Sequence, residues 1–547
     1  MAGNFQAHGS CRRGLMSGST LGAGHWRVAC GVMSLMALAG VPQAKAVNLY
    51  SGITNGQNLE INLDATVEYS NITRVNSPSK ILTRDINAND GNLDFQHGLV
   101  DNTFDVLPVF DLRYGNYGVH ISGEAYLDTP YLGRTQNNSP STFNPISTNN
   151  QHFTSATRNI NGENAVLLDA FAYDTKYFGP NGGQSLTVKV GRQTLLWGQS
   201  LFFVTNGISA GQAPLDAIKG STLPNAQAQQ IFLPVGQAVV TYAPNPNLSF
   251  QGYYQFEWEP DTLEGVGSYF STTDILDKGG QRLLFAPGYG IPRVKDLRPP
   301  VDNGQFGLSV QGAVGRWDLG LYALRYDDHA PVGIYLSKNF SNYWVVYPRD
   351  IQTYGASFNT TYDGASIGGE ISGRRNMPLV STGAPISSYP GSANAGALYP
   401  VGSTLEGQIS EIWITPPVSF DRNGLTLLSE FAVNHVVSVD KNRGMLRPGR
   451  NATAGAFQVE VIPTYDAVLP SLNVTFPIGF KYNAFGRSEV DSTMNHGTGF
   501  VNIGITGTYR TVWTASLTYQ DYLGRANPSL NPLADRGYVS FSVQHTF

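Results

Sequence analysis

The chain has 547 residues, 41% of them hydrophobic and only 14% charged, with 35 basic and 40 acidic side chains. A net charge of −5 argues against a nucleic-acid partner, and so low a charged fraction argues against an ordinary soluble domain, where a quarter is usual. The two cysteines, Cys11 and Cys30, both sit near the N-terminus, so neither a disulfide framework nor a thiolate metal site is expected in the body of the protein.

In residues 1–46, Arg12, Arg13 and Arg27 precede the apolar stretch 28–41, and small residues follow at Ala44 and Ala46. This is the pattern of a cleaved secretory signal peptide, with an apolar stretch too short to span a membrane comfortably. Cleavage is expected between Ala46 and Val47. Residues 47–547 then carry 31 basic and 40 acidic side chains and no cysteine. With so few residues between Val47 and the first strand, no plug domain is expected ahead of it. No later stretch reaches the 18 apolar residues of a membrane helix.

The first strand is expected over 59–70, "LEINLDATVEYS", where apolar and polar residues alternate without a break. Successive strand side chains point to opposite faces. One face is therefore apolar and the other carries Glu60, Asp64 and Glu68. Similar segments recur near 103–114, 117–128, 164–177, 185–195, 236–244, 248–259, 304–314 and 317–327. More follow near 351–362, 364–374, 404–415, 424–436, 454–465, 469–482, 498–509, 511–522 and 537–547. Tight-turn sequences such as "GN", "GR" and "DG" join some neighbours, and long connections alternate with them. The fold class expected is all-β: a transmembrane antiparallel up-and-down barrel of about 18 strands (16–18), with short periplasmic turns and long extracellular loops.

In that arrangement the apolar faces meet lipid. The opposite phase points Glu60, Asp64, Glu68, Arg113, Lys189, Glu257, Glu370, Glu430 and Arg374 into the lumen, which is net acidic. Trp258, Trp317, Tyr354, Trp513 and Tyr519 fall near strand ends on the apolar phase and are expected in interfacial girdles.

Segment 196–235, between the fifth and sixth strands, is long and apolar: Leu195, Leu196, Trp197, Leu201, Phe202, Phe203 and Val204 come close together. A helical turn is expected after Pro214. Such a loop is expected to fold into the lumen and form a constriction from Leu196, Trp197, Gln199, Phe202 and Phe203; the alternative is a lid over the extracellular rim.

No catalytic or metal-binding motif appears, so no enzyme, metal or cofactor is expected. Asn495-His496 resembles part of a lipase dyad, but no matching nucleophile motif accompanies it. The chain ends "GYVSFSVQHTF"; its alternation and terminal Phe547 resemble the signal read by the assembly machinery of bacterial outer-membrane barrels.

The stretch "VGRQTLLWGQS" with "NGISAGQAPLD", followed by "YYQFEWEPDTLEGVGSYFSTTDIL", resembles the Gram-negative outer-membrane family catalogued as domain of unknown function family 1302. Gly191, Arg192, Gln193, Trp197, Gly198 and Gln199 match the first motif, and Glu257, Trp258, Tyr269, Phe270 and Ser271 the second. Many members have Glu where Gln199 stands. The resemblance implies channels for hydrophobic or amphipathic organic compounds. The function expected is an outer-membrane channel for a small organic solute. The alternatives are a barrel enzyme such as a lipid hydrolase, or a structural barrel docking a periplasmic partner. Outer-membrane lipid, lipopolysaccharide and the assembly machinery are the further partners expected.

Overall fold

The structure is a computed structural model that describes residues 47–547 apart from 224, 277, 300–302, 388–395 and 422. The expected signal peptide, residues 1–46, lies outside the described residues.

Eighteen strands close into one antiparallel barrel. The first half comprises β1 (Gln57–Arg74), β2 (Gly98–Tyr114), β3 (Tyr117–Asp128), β4 (Glu163–Phe178), β5 (Gln184–Gln193), β6 (Val235–Asn245), β7 (Leu248–Gln255), β8 (Gln305–Val314) and β9 (Trp317–Tyr326). It continues with β10 (Ile351–Tyr362), β11 (Ala365–Pro378), β12 (Val401–Ile414) and β13 (Thr426–Lys441). Strand β14 runs through Thr453–Ile462 and Thr464–Leu469, and β15 through Leu472–Thr475 and Ile478–Phe485. Both are interrupted at a proline, Pro463 and Pro477, which has no N–H to give to the ladder. The last strands are β16 (Gly499–Tyr509), β17 (Trp513–Leu523) and β18 (Tyr538–Thr546).

Closure comes from β18 against β1, in register from Thr66↔Thr546 to Arg74↔Tyr538. The Phe547 N–H adds a bond to the Ala65 carbonyl at 2.9 Å. A short strand not foreseen in the sequence, Val47–Thr54, then pairs with the start of β1 from Val47↔Leu63 onward. Turns close one end of the barrel. At Asp363-Gly364, φ is 48° and 81°, positive at both positions, as a two-residue hairpin matching the strand twist requires.

The two phases of each strand differ in surroundings. In β1, Leu63 and Tyr69 are each 40% exposed, while Glu68 and Ser70 are 2% and 0%. The same outward apolar exposure recurs at Val190, Phe250, Leu308, Ile371, Ile409, Ile503 and Leu517. A soluble protein buries such a face; a barrel with an apolar outer wall and a polar interior is built to span a bilayer. Trp317, Tyr354, Trp513 and Tyr519 are exposed on that wall.

Trp258 corrects the girdle expectation. Strand β7 ends at Gln255, so the alternating phase does not extend to residues 257–258. Trp258 is instead buried in a loop cluster with Ile291, Ile334, Tyr343 and Tyr347, stacked on His329. That cluster includes a small sheet of Gly333–Ser337, Tyr343–Val346 and Ile386–Ser387. A second loop cluster gathers Phe95, Tyr131, Phe153, Tyr269 and Phe270 over Ile72 and Val100 of the wall.

Candidate functional site: a chain segment inside the barrel

Segment 194–234 leaves β5 and re-enters the wall at β6, where Gln193 and Val235 are register partners. It therefore starts and ends at one place on the wall. Between those points its hydrogen bonds go to inward-facing residues of distant strands.

Its first half lies against β7 and β9–β14. The Trp197 indole packs among Tyr253, Tyr322, Leu324 and Ile351, and its Nε1 donates to Gln251 at 2.6 Å. Gly198 follows with φ at 100°. A side chain there would be strained in its backbone and would also collide with the Glu370 carboxylate. That carboxylate accepts the N–H of Gln199 at 2.6 Å and of Ile208 at 2.9 Å, and Gln408 Nε2 at 3.0 Å. Glu430 accepts the N–H groups of Leu201, Phe202 and Phe203. Buried carboxylates need such donors, and buried backbone N–H groups need acceptors, so each solves the other's desolvation. Small residues beneath make room: Phe203 packs on Ala432, Ala454 and Ala456. Arg374, 2% exposed, donates to the Gly207 carbonyl at 2.8 Å and pairs with Glu406 at 3.3 Å.

The second half lies against β1–β3. Asp216 caps a short helix, α1 (Ala217–Thr222), by accepting the Lys219 N–H. The helix begins three residues after Pro214, where the sequence places a helical turn. Lys219 Nζ sits 2.9 Å from Glu124, 3.3 Å from Asp105 and 3.7 Å from the centroid of the Tyr126 ring. Gln230 Nε2 reaches Glu124 at 2.7 Å, and Asn225 Nδ2 reaches Glu68 at 3.0 Å and Ser542 at 2.9 Å. The Leu215 N–H is taken by Asp261 at 2.8 Å. Burial in the connection after β7 pushes the Asp261 carboxyl up to about 7, and burial after β9 holds His329 down to about 4.

Of the residues read as a constriction, Trp197, Gln199 and Phe203 are buried against the wall, and Leu196 and Phe202 are half-buried. The apolar side chains are thus largely spent on packing. Glu60 is the register partner of Arg113, and Glu68 that of Asp105. Asp64 is half-buried on the same phase, and Lys189 Nζ lies 5.2 Å from the Phe171 ring centroid. Glu257 is a correction. Beyond the end of β7 its carboxylate turns to Arg192 and the Gly236 N–H, and Arg192 alternates with the inward Gly191 and Gln193. The pair joins the two motifs at the rim and does not line the lumen. Phe547, the last residue of the alternating C-terminal strand, is 55% exposed on the outer wall.

Sequence reading missed Glu406 and Lys219. Glu406 lies on the inward phase of β12, a signal within reach. Lys219 is the one basic residue of 194–234, and only its counter-ions reveal its place. His496 and Asn495 bond to backbone carbonyls of Ala484, Ser492 and Leu530. Among the described residues no group of three His, Cys, Asp or Glu side chains is placed to hold a metal.

Fold and interior together define a bilayer-spanning β-barrel with a chain segment folded into its lumen. The chain belongs to the family described as Protein of unknown function (DUF1302), whose profile matches residues 27–547. No curated protein matches it. Among solved structures it is similar to Acinetobacter baumannii OccAB4, at 9% identity and a TM-score of 0.44, covering 89% of this chain and 98% of that one. A BenF-like porin from Pseudomonas fluorescens Pf-5 gives 9% identity and 0.43, over 89% and 98% of the two chains. Pseudomonas aeruginosa OpdK with vanillate gives 12% and 0.41, again over 89% and 98%.

Proposed function

We propose that the protein is a channel of the bacterial outer membrane that passes a small amphipathic organic compound. The observation that carries this is segment 194–234, bonded to the inner wall on both sides by Glu370, Glu430, Asp105, Glu124 and Glu68. Eighteen strands enclose more space than their own side chains fill. A segment folded inside narrows that space, and its half-buried Leu195, Leu196 and Phe202 lie beside an acidic wall. Such a passage favours a solute with an apolar body and a polar end.

The test is conductance of the purified protein in planar lipid bilayers. Discrete openings are expected, with larger openings and uptake of bulkier hydrophilic antibiotics when residues 199–230 are deleted. A folded, heat-modifiable barrel without openings overturns the channel. Openings that the deletion leaves unchanged overturn the constriction.

A further inference from the structure

At the loop-bearing end of the barrel, three neighbouring strands carry a polar row on the outer wall. Arg325 of β9 is the register partner of Gln352 of β10, and Gln352 that of Arg375 of β11. All three lie on the outward phase, two residues beyond the row Ala323, Tyr354 and Gly373. Tyr354 is 55% exposed, and Leu321 and Ile371, one row nearer the midplane, are 62% and 51% exposed. The arginines thus stand about 7 Å along the strands from a tyrosine of the interfacial kind, where lipid tails give way to headgroups. Arg325 donates to the Gly304 carbonyl at 2.8 Å and pairs with Asp350. Arg375 is exposed, and among the described residues it has no carboxylate within ion-pair distance and no side-chain hydrogen bond. A bulge sets its place: the β11–β12 register shifts between Arg374 and Met377, so Arg375 and Asn376 together face Ser403. Asn376 Nδ2 donates to the carbonyls of Arg349 and Asp350 at 3.1 and 3.2 Å, which ties the bulge to the residue that holds Arg325. An uncompensated arginine on a lipid-facing wall is costly at the midplane and tolerated at the interface, where phosphate is the anion within reach. Its fork of N–H donors fits phosphate oxygens.

We propose that Arg325 and Arg375 form a binding site for a phosphate-bearing lipid of the outer leaflet. Their Cα positions are two strands apart, about 10 Å, so two arginine side chains can converge on one phosphate above Gln352. Arg325 contributes the donors left over from Gly304 and Asp350, and Arg375 supplies the net charge. Below them Ala323 and Gly373 flank the Tyr354 ring, and a Cβ built at Gly373 would meet no atom closer than 3.9 Å. These small residues leave room on the wall for an acyl chain beside the tyrosine. The site goes beyond the channel reading and rests only on the outer-membrane setting in which that reading places the barrel.

The experiment titrates the full-length protein in detergent with lipid A carrying two phosphates and, separately, with the same lipid stripped of phosphate. Native mass spectrometry counts the bound lipid, and heat-modifiability reports an intact barrel in each variant. Arg375→Gln removes the uncompensated charge without breaking a contact of the fold. Its affinity for the phosphorylated lipid should fall about tenfold, as for a lost charge-assisted bond, and Arg325→Gln/Arg375→Gln should lower it further. Arg375→Lys keeps the charge without the fork and should fall between. Arg510→Gln, at an exposed arginine in a turn of the opposite end, should bind as wild type. Equal affinity of wild type and Arg375→Gln, or equal affinity for the two lipids, overturns the proposal. Inorganic phosphate at millimolar concentration should leave the lipid in place; complete displacement overturns the lipid assignment in favour of free phosphate. No step reads conductance, so lipid binding without openings counts against the channel alone, and openings without phosphate-dependent lipid binding count against the site alone.

Discussion

The Phe203 N–H donates to the Glu430 carboxylate at 2.8 Å across 227 positions of sequence. Two preceding N–H groups, of Leu201 and Phe202, end on the same carboxylate. One wall residue thus fixes one turn of the lumen segment.

Glu430→Ala should release that turn. A hydrogen bond to a charged group contributes roughly 1.5–3 kcal/mol net, so exchange of the Leu201, Phe202 and Phe203 amides should accelerate by about tenfold or more. Glu430→Gln keeps one acceptor oxygen and should fall between. Hydrogen exchange read by mass spectrometry over 199–205 checks this. Unchanged protection there would mean that packing on Ala432 and Ala454 holds the turn by itself.

Trp197→Ala removes the indole from the cluster at β6, β7, β9 and β10. Emptying a buried tryptophan site costs about 3–5 kcal/mol, here borne by the segment rather than by the strand ladder. The variant should keep its heat-modifiable barrel, and its openings should exceed the wild type's by less than those of the 199–230 deletion. Single-channel recording decides it, and a variant that no longer closes as a barrel would assign Trp197 to the wall's own stability.

Asp261 gives a pH-dependent prediction with a defined sign. Its carboxyl titrates at about 7 when folded but near the ordinary aspartate value when unfolded. The folded state therefore binds the extra proton between about pH 4 and 7, and this residue's contribution to stability falls as pH rises through that window. An Asn keeps an acceptor for the Leu215 N–H and has no proton to lose. The melting temperature of Asp261→Asn relative to wild type should rise from pH 4 to 7 and level off above. A difference that stays flat with pH would show that Asp261 ionises freely in the folded protein.

Phe547 contributes an exposed ring on the outer wall and one backbone bond to Ala65. Its loss should cost a few kcal/mol at most, on the scale of about 1.5–3 kcal/mol for burying such a side chain. Deleting it should nevertheless lower the amount of assembled protein sharply, seen by immunoblot of membrane fractions, while protein refolded in detergent keeps a near-normal melting temperature. Normal levels in the membrane would remove the residue's role in assembly.

The strands were legible because alternation is local: each of the eighteen could be read from about ten residues, and a proline or glycine marked most ends. The phase also identified Glu68, Glu370, Arg374 and Glu430 as inward. It failed where it was carried past a strand's end, at Glu257 and Trp258, since alternation has meaning only while the backbone stays in the ladder. It also gave no notice of Val47–Thr54, whose pairing with β1 depends on where β18 stops. What the tertiary structure alone decided is the company each inward group keeps. Glu430 with Phe203, and Lys219 with Asp105, Glu124 and Tyr126, are partners set by the closure of the barrel and the path of one segment through it. These relationships are long-range and three-dimensional, so no spacing along the chain encodes them.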